Sequence, residues 1–261
     1  MLKHSFVIPA YKEAIYLEEC IRSLTCQTVP SRILVATATP SEFIKNIAEK
    51  YNLPYYVNPE SPSISGDWNF AMSKADTDYI TLAHQDDIYA ESYTETVLQE
   101  MAALPNALLT FTDYTEMVDG KRIPRSLNLI IKNIMLAPFW VSKSISNRFF
   151  KKAVLSFGDP VCCPSVTLHR AAVPDFKFSD KYSYILDWDA WWQLAKKEGS
   201  FIYIRKRLLA HRLHKGSETT HLITSGKRGQ EERAMLQRIW GKWLGALLAR
   251  LYRLGHKANL K

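Results

Sequence analysis

The sequence predicts an α/β protein in which helices flank a mostly parallel central sheet and a helical tail follows. Three observations support this prediction. Short apolar runs alternate with helical patterns through the first half of the chain. Hydrophobic residues make up 47% of the 261 positions, which is enough for a substantial core. No apolar run reaches the roughly 20 residues that a membrane-spanning helix needs.

The apolar runs of strand length give the order of the predicted elements. We expect strands over residues 4–8, 32–37, 55–58, 79–83 and 107–111, and a later strand over 201–205. We expect helices around residues 15–24, 42–51, 91–101 and 187–197, and another after Gly66. Thr39 and Pro40 are typical of the cap and first residue of the second helix. Because ligands of open α/β sheets collect at the carboxyl ends of the strands, the following loops should face one crevice.

Basic residues are concentrated in two segments. The chain has a net charge of +8, and residues 205–261 contain 14 Lys and Arg but only 3 Asp and Glu. Residues 121–158 contain eight basic residues and no acidic one. Segments of this kind favour an anionic surface or a phosphate-bearing substrate.

The tail, residues 221–261, follows one predicted domain over residues 1–220. Its apolar residues are predicted to form a single helical stripe, with basic residues on the other faces, which favours the surface of an anionic membrane. The alternative is that the stripe packs on the preceding domain or on a second subunit of a homo-oligomer. The stripe consists of Leu236, Ile239, Trp240, Trp243, Leu247, Leu251 and Leu254.

The cysteines and the amino terminus indicate a cytoplasmic location. The four cysteines lack metal-ligand spacing, and the adjacent Cys162 and Cys163 are awkward for a disulfide, so reduced thiols are expected. The apolar run before Pro9 is too short for a signal peptide. The inner face of the cell membrane is the alternative location if the tail binds lipid.

The loop His84-Gln85-Asp86-Asp87 follows the predicted strand over residues 79–83. Two adjacent carboxylates repel each other, and a divalent cation shared with a substrate diphosphate removes that repulsion. The loop therefore predicts a metal-diphosphate site at Asp86 and Asp87. The alternative is a solvated pair that caps a helix.

Three segments together resemble family 2 glycosyltransferases. Residues 6–13 and 17–28 resemble the family's opening strand, turn and helix, and Gln85-Asp86-Asp87 resembles its Asp-x-Asp-Asp motif. The resemblance covers roughly residues 4–220. It implies a GT-A fold and inverting transfer from a nucleoside-diphosphate sugar, with Mn²⁺ or Mg²⁺ at the diphosphate. Residues 1–112 would then bind the nucleotide, and residues 113–220 would bind a glycan or lipid-linked glycan acceptor.

The resemblance also assigns residues to the donor site. Asp86 matches the family's metal-binding aspartate, and Asp87 stands beside it. His84 replaces the first acid of the motif, so either its imidazole contacts the metal or the nucleotide, or that contact has been lost. We expect a nucleotide contact. The remaining donor-site candidates are Asp67 and Asn69, which precede or begin a helix, and the opening-turn residues Pro9, Ala10, Tyr11 and Glu13.

Asp187-Trp188-Asp189 opens a predicted helix and resembles the family's Glu-Asp-x-Asp-x-Trp segment, with Leu186 replacing the glutamate. A carboxylate at a helix amino terminus can accept the proton that the attacking acceptor hydroxyl loses. The family's catalytic base matches Asp187. Asp189 is expected to support the helix or to orient Asp187.

The segment 211–217 resembles the Arg-x-His element that closes over the diphosphate in this family. Arg212 is expected to neutralise charge on the leaving group, and His214 to complete the metal shell. His211 is expected to have a structural role.

Two other functions compete with sugar transfer. A nucleotidyltransferase acting on a sugar phosphate would more often carry a Gly-rich phosphate loop after the first strand, and residues 9–13 do not form one. A non-enzymatic nucleic-acid-binding protein would explain the basic tail, but no nucleic-acid-binding motif accompanies it. We therefore expect no nucleic-acid partner.

Overall fold

The computed structural model describes residues 3–214 and 227–258, with side chains as far as residue 251. In this part of the chain ten strands form one sheet, which confirms the predicted α/β class. The strands are β1 (His4–Pro9), β2 (Arg32–Thr37), β3 (Tyr55–Val57), β4 (Tyr79–Leu82), β5 (Ile88–Tyr89), β6 (Ala107–Val118), β7 (Lys121–Ile123), β8 (Ser144–Ile145), β9 (Val166–His169) and β10 (Ser200–Leu213).

Nine α-helices accompany the sheet within the described residues, and none of them is long and apolar enough to span a membrane. They are α1 (Leu17–Thr25), α2 (Glu42–Lys50), α3 (Ile64–Ser73), α4 (Tyr93–Ala103), α5 (Leu127–Met135), α6 (Arg148–Leu155), α7 (Leu186–Ala195), α8 (Lys227–Trp240) and α9 (Lys242–Ala258). Short 3₁₀ helices lie at Ala137–Trp140, Cys163–Ser165 and Arg170–Ala172.

The sheet order is β3-β2-β1-β4-β9-β6-β10-β5, with β7 paired to β6 and β8 paired to β10. Strands β1, β2, β3 and β4 pair in parallel, as do β6 and β10. Strand β9 lies antiparallel between β4 and β6. Six strands, β1, β2, β3, β4, β6 and β10, therefore end at the same edge of the sheet, which we call the catalytic edge.

Alternating residues of β1 enter two separate cores, because successive side chains of a strand point to opposite faces. Phe6 and Ile8 pack with α1, α2 and α4 on one face, whereas Val7 belongs to the larger core that α3, α6, α7 and α8 cover. All three side chains are fully buried. The sheet is therefore covered on both faces, and its catalytic edge is where loops can form a site.

Strands β6 and β10 extend further than their apolar runs predicted. They pair in parallel over most of their length, and β10 recovers its register through irregularities near Arg207. Residue 112, the predicted boundary between two parts, lies inside β6. Arg212, predicted to follow a strand, lies within β10 opposite Met117.

The predicted cap of α2 and the predicted start of α3 were wrong, whereas α2 begins at Glu42 as predicted. The cap of α2 is Ser41, whose hydroxyl accepts a hydrogen bond from the Ile44 amide, whereas the Thr39 hydroxyl accepts one from the Lys12 amide. Helix α3 begins before Gly66, because the Ser63 hydroxyl caps it by accepting from the Gly66 amide.

The predicted single stripe of the tail is divided between two helices. Gly241, at φ 80°, separates α8 from α9, and α9 folds back on α8 so closely that a β-carbon at Gly245 would lie 2.4 Å from the Gln237 Cα. Leu236, Ile239 and Trp240 face the rest of the fold, whereas Trp243, Leu247 and Leu251 are exposed. The side chain of Leu254 lies outside the described residues.

Helix α8 is joined to the preceding domain by polar contacts as well. The Glu231 carboxylate accepts from the Ser183 and Tyr184 amides at 2.9 and 2.8 Å. The Trp240 Nε1–H donates to the Ser156 carbonyl at 2.7 Å, and Arg238 pairs with Asp189. This half of the tail packs as part of the fold, as the packing alternative predicts.

Candidate active site

The two adjacent aspartates of the loop after β4 have different surroundings. Asp87 is fully buried, and its Oδ1 accepts from the Arg212 amide at 2.9 Å and from His211 Nδ1 at 3.0 Å. Burial alone would lower the pKa of His211, but the negative charge of Asp87 and the hydrogen bond outweigh burial and raise it. Asp87 therefore fastens the loop to β10, and His211 has the structural role expected of it.

Asp86, in contrast, is partly exposed at the catalytic edge. Its Oδ2 lies 3.0 Å from Nε2 of His214, the last residue before a stretch outside the described chain. Asp86 thus presents a carboxylate at the catalytic edge, and His214 lies beside it.

His84 completes a group of three side chains with metal-binding atoms. Its ligand atom and those of Asp86 and Asp87 lie within 4.8 Å of one another. Its Nε2 is buried and has no hydrogen-bond partner within the described residues. Burial lowers the pKa of His84, although Asp87 and Asp86 oppose this shift, so the imidazole is neutral and retains a lone pair.

The donor set fits a divalent metal. Imidazole nitrogen and carboxylate oxygen both suit Mn²⁺, and an unpaired buried nitrogen is otherwise costly. Because the Asp87 oxygens already accept hydrogen bonds from His211 and Arg212, Asp86 and His84 are the two side chains most available as ligands.

Arg212 is held inside the catalytic edge. Its Nε donates to the Asp86 carbonyl at 2.9 Å, its guanidinium pairs with Glu19, and it lies 4.0 Å above the Tyr16 ring. The residue is buried. Its charge therefore lies directly behind the Asp86 loop, and the same contacts fix the end of β10 against α1.

The opening turn lies against the same loop. The Gln85 side chain brackets the backbone of Tyr11, accepting from its amide at 2.9 Å and donating to its carbonyl at 3.2 Å. Lys12 adopts φ 54°, which turns the chain sharply after β1. The structure thus brings Pro9, Ala10 and Tyr11 to the end of β1 beside the acidic loop, and Glu13 is exposed in the loop that follows.

Asp67 and Asn69 lie on α3 and contact other segments of the protein. Asp67 accepts from the Asn58 amide group at 2.9 Å, and burial raises its pKa. Asn69 bonds both the amide and the carbonyl of Phe178 at 2.8 Å. Asn69 therefore holds the loop before α7, and Asp67 connects α3 to the end of β3.

Asp187 lies in the first turn of α7 and is half-buried. Its Oδ1 accepts from the Trp188 amide at 2.9 Å. Burial raises the pKa of Asp187, although the Trp188 amide and the positive charges of Arg228 and Lys132 oppose the rise. A carboxylate whose affinity for protons is increased in this way is suited to general-base chemistry.

Asp159 shares the surroundings of Asp187. Its Oδ1 accepts from the Val161 amide at 2.9 Å, and its Oδ2 is buried without a hydrogen-bond partner in the described chain. Burial and then the charge of Asp187 raise the pKa of Asp159 well above its usual range. The two acids therefore repel each other, so protonation of one favours ionisation of the other.

Aromatic rings connect the acidic loop to the helix that carries Asp187. The His84 ring lies 5.1 Å from Trp68, Trp68 lies 4.9 Å from Phe178, and Phe178 lies 5.9 Å from Trp191 on α7. His84 and Asp187 also affect each other's pKa, so they are near enough to interact electrostatically. The loop and α7 face the same crevice.

Sequence reasoning missed several residues of this site. Gln85 and Glu19 occur inside the recognised motifs, but nothing in a single sequence shows which backbone or cation they bind. Lys132 had a usable signal, because it belongs to the acid-free segment 121–158. The missed residues are Tyr16, Glu19, Gln85, Lys132, Asp159, Phe178 and Arg228.

Comparison with solved structures shows the same fold in glycosyltransferases. Residues 1–349 of S. aureus TarS match with a TM-score of 0.63 at 12% identity, over 98% of this chain and 72% of that one. The same fragment in complex with UDP-GlcNAc matches with a TM-score of 0.60 at 14% identity, over 90% of this chain and 65% of that one. The mannosyltransferase PcManGT from Pyrobaculum calidifontis, in complex with GDP-Man and Mn²⁺, matches with a TM-score of 0.62 at 12% identity, over 98% and 75%.

These similarities confirm the predicted GT-A fold. No curated protein matches the chain in sequence. The family model "Glycosyl transferase family 2" matches residues 5–174, more than half of the chain, and includes the acidic loop but ends before Asp187. The ordered motifs, the sheet that brings them to one edge and the match to the family model agree, and the chain belongs to glycosyl transferase family 2.

Proposed function

We propose that this glycosyltransferase moves a sugar from a nucleoside-diphosphate donor to a hydroxyl of a glycan or lipid-linked glycan, with inversion at the anomeric carbon. One observation carries the proposal. His84, which lies beside Asp86, is near enough to Asp187 for each to affect the other's pKa, and burial raises the pKa of Asp187. One side of the crevice suits a diphosphate with its cation, and the other suits proton removal from an acceptor.

The donor is proposed to bind along the ends of β1 and β4. Pro9, Ala10, Tyr11 and Glu13 would lie beside the nucleoside, and Asp67 with Asn69 would shape the same side of the crevice from α3. Two structures with this fold are complexes with UDP-GlcNAc and with GDP-Man, which supports a donor of that chemical class.

A divalent cation, Mn²⁺ or Mg²⁺, would supply positive charge to the diphosphate when bound. Asp86 and His84 would hold it, and His214 would either join them or orient Asp86 through their 3.0 Å hydrogen bond. Asp87 would stay committed to His211 and to the Arg212 amide, although its carboxylate is near enough to contribute.

Asp187 is proposed to act as the base. It would accept the proton of the acceptor hydroxyl as that oxygen attacks the anomeric carbon from the face opposite the diphosphate. A single displacement of this kind inverts the sugar and needs no covalent enzyme intermediate. Arg212, fixed behind the Asp86 carbonyl, would offset negative charge as the nucleoside diphosphate leaves.

Helix α9 is proposed to hold the enzyme on an anionic membrane, such as the inner face of the cell membrane. Trp243, Leu247 and Leu251 are exposed on it, and Lys242 and Arg250 flank them. An apolar face bordered by bases supplies the two contributions that such binding needs. Helix α8 packs on the fold and is not part of this surface.

A thermal-shift screen tests the donor class. Uridine, guanosine, adenosine and cytidine diphosphates would each be added with Mn²⁺, with Mg²⁺ or with a chelator. A ligand at 100 times its dissociation constant should stabilise the protein by about 2.7 kcal/mol. We expect one base to stabilise the protein selectively and only with metal, and we expect the Asp86→Asn variant to lose that response. Equal stabilisation with metal and with chelator would refute the metal site.

A further inference from the structure

Helix α5 exposes an apolar face that no part of the described fold covers. Its exposed residues recur at helical spacing, and we call them the α5 face: Leu127 (50% exposed), Ile130 (51%), Ile131 (39%) and Ile134 (60%). The opposite side of the helix faces inward, because Asn128 donates to Glu116 at 2.7 Å and Lys132 lies 5.4 Å from the Tyr114 ring. The orientation of the helix is therefore fixed, and its most apolar side is the one in solvent.

Exposed aromatic and aliphatic residues continue from this helix along the chain. Trp140 ends the 3₁₀ helix that contacts both α5 and α6, and Val141 follows it. Phe149 and Phe150 are exposed on α6. A tryptophan among such residues is typical of a surface that meets a lipid interface. The exposed apolar surface therefore spans several elements and is not confined to one helix.

The charged residues of the segment that carries α5 are of one sign. Lys121, Arg122 and Arg125 are exposed immediately before α5, and residues 121–158 contain no acid. A second copy of the chain would bring the same bases against them and be repelled. A surface of anionic lipid headgroups would be attracted and would also accept the apolar side chains.

The α5 face lies close to the crevice. Lys132, on the inner side of α5, contacts Tyr114, whose ring lies 6.2 Å from His211, and His211 bonds Asp87. A bilayer on the α5 face would therefore lie near the crevice. If the proposed transfer is correct, this position suits an acceptor whose lipid anchor remains in that bilayer.

We propose that the α5 face is a membrane-docking surface for anionic lipid, separate from the one on α9. Exposed apolar residues insert at the headgroup level, and Lys121, Arg122 and Arg125 bind the anionic headgroups. Lipid binding by the α5 face does not depend on sugar transfer, so either proposal can fail while the other holds.

Vesicle flotation of the full-length protein, without donor or acceptor, tests this surface. Vesicles of phosphatidylglycerol mixed with phosphatidylcholine are compared with vesicles of phosphatidylcholine alone, at low and high salt. The test variant is Ile130→Glu, and the matched control is Val57→Glu, a 47% exposed apolar residue on the edge strand β3. Trp243→Ala reports separately on α9.

We expect Ile130→Glu to reduce the partition onto anionic vesicles by about tenfold or more, because it replaces an inserting side chain by a charge that the lipid repels. Val57→Glu should leave the partition unchanged. The double variant Arg122→Gln, Arg125→Gln should reduce the partition onto anionic vesicles at low salt only. This double variant replaces Ile130→Glu as the test if Ile130→Glu does not fold.

Three results would overturn the docking surface. The first is that Ile130→Glu, or the arginine double variant at low salt, floats with anionic vesicles as well as the parent does. The second is that Trp243→Ala is the only variant that loses vesicle binding. The third is a dimer, seen by light scattering, that Ile130→Glu dissociates while vesicle binding is unchanged, because the occupant is then a second copy of the chain.

Discussion

The catalytic edge and the α5 and α9 surfaces use charge and burial in opposite ways. At the catalytic edge, the side chains of Asp87, Arg212 and Gln85 are each fixed by hydrogen bonds to backbone groups. On α5 and α9, large apolar side chains are exposed and the nearby charges are basic. A site that stabilises charge at one position needs fixed groups, whereas a surface that binds a fluid layer needs exposed ones.

The largest expected difference is between Asp187 and its neighbour Asp189. Asp187→Asn keeps the size of the side chain but cannot accept a proton, so the rate of transfer should fall by about two to four orders of magnitude. Donor affinity, measured by calorimetry, should hardly change. A rate near that of the parent would remove Asp187 from the role of base.

Asp189→Asn is the matched control on the same helix. Asp189 is buried and pairs with Arg238 of α8, so its loss should destabilise the contact between α7 and α8. The melting temperature should therefore fall, while the rate of transfer per folded molecule remains within a few-fold of the parent.

Asp86 and Asp87 should separate binding from stability. Asp87→Asn weakens a buried contact with His211 and should lower the free energy of unfolding by about 3 kcal/mol, measured by urea denaturation in chelator. Asp86→Asn affects a partly exposed side chain and should change the free energy of unfolding by less than about 0.5 kcal/mol. Only Asp86→Asn should abolish metal-dependent diphosphate binding in a protein of parental stability. The reverse pattern would exchange the two roles.

The raised pKa of Asp187 predicts the acid side of the pH profile. The base must be ionised, so transfer should fall by about tenfold per pH unit below a pKa that lies above the ordinary aspartate range. Arg228 holds that pKa down, so Arg228→Gln should move the acid limb to higher pH. Arg233→Gln, which changes an exposed residue of the same helix, should leave the limb in place. An acid limb within the ordinary aspartate pKa range, in both the parent and Arg228→Gln, would argue against a buried base.

Local patterns were sufficient for the positions of the six predicted strands and of the acidic loop, but β5, β7, β8 and β9 were not predicted. Apolar runs located β1, β2 and β4 within a residue or two, and the motif order brought Asp86 and Asp187 to one crevice. The extent of β6 and β10 could not be predicted, because these strands continue through polar residues whose pairing depends on each other. Glu19 and Tyr16, which contact the Arg212 side chain, lie far from it in sequence, so only the fold reveals these contacts.

The tail was predicted to be helical, as it is in its described residues, but its stripe was predicted to be continuous and is divided between two helices. Its apolar spacing favours one long helix, although Gly241 lies within the stripe and glycine is a poor helix former. The close approach of Gly245 to Gln237 shows why the chain can turn back there, since no larger residue would allow α9 to lie so near α8. A preference for tertiary packing therefore outweighed the local helical pattern.

Two tryptophans of the tail provide the smallest and most closely matched comparison. Trp240→Phe keeps an aromatic ring against Phe157 but loses the hydrogen bond to the Ser156 carbonyl, which should lower the free energy of unfolding by about 1 kcal/mol. Trp243 is 84% exposed, so Trp243→Phe should change the free energy of unfolding by less than about 0.5 kcal/mol. Urea midpoints measured without lipid report both values. Equal losses would mean that α9 is as much a part of the fold as α8, and its apolar face would then belong to an interface within the protein and not to a membrane.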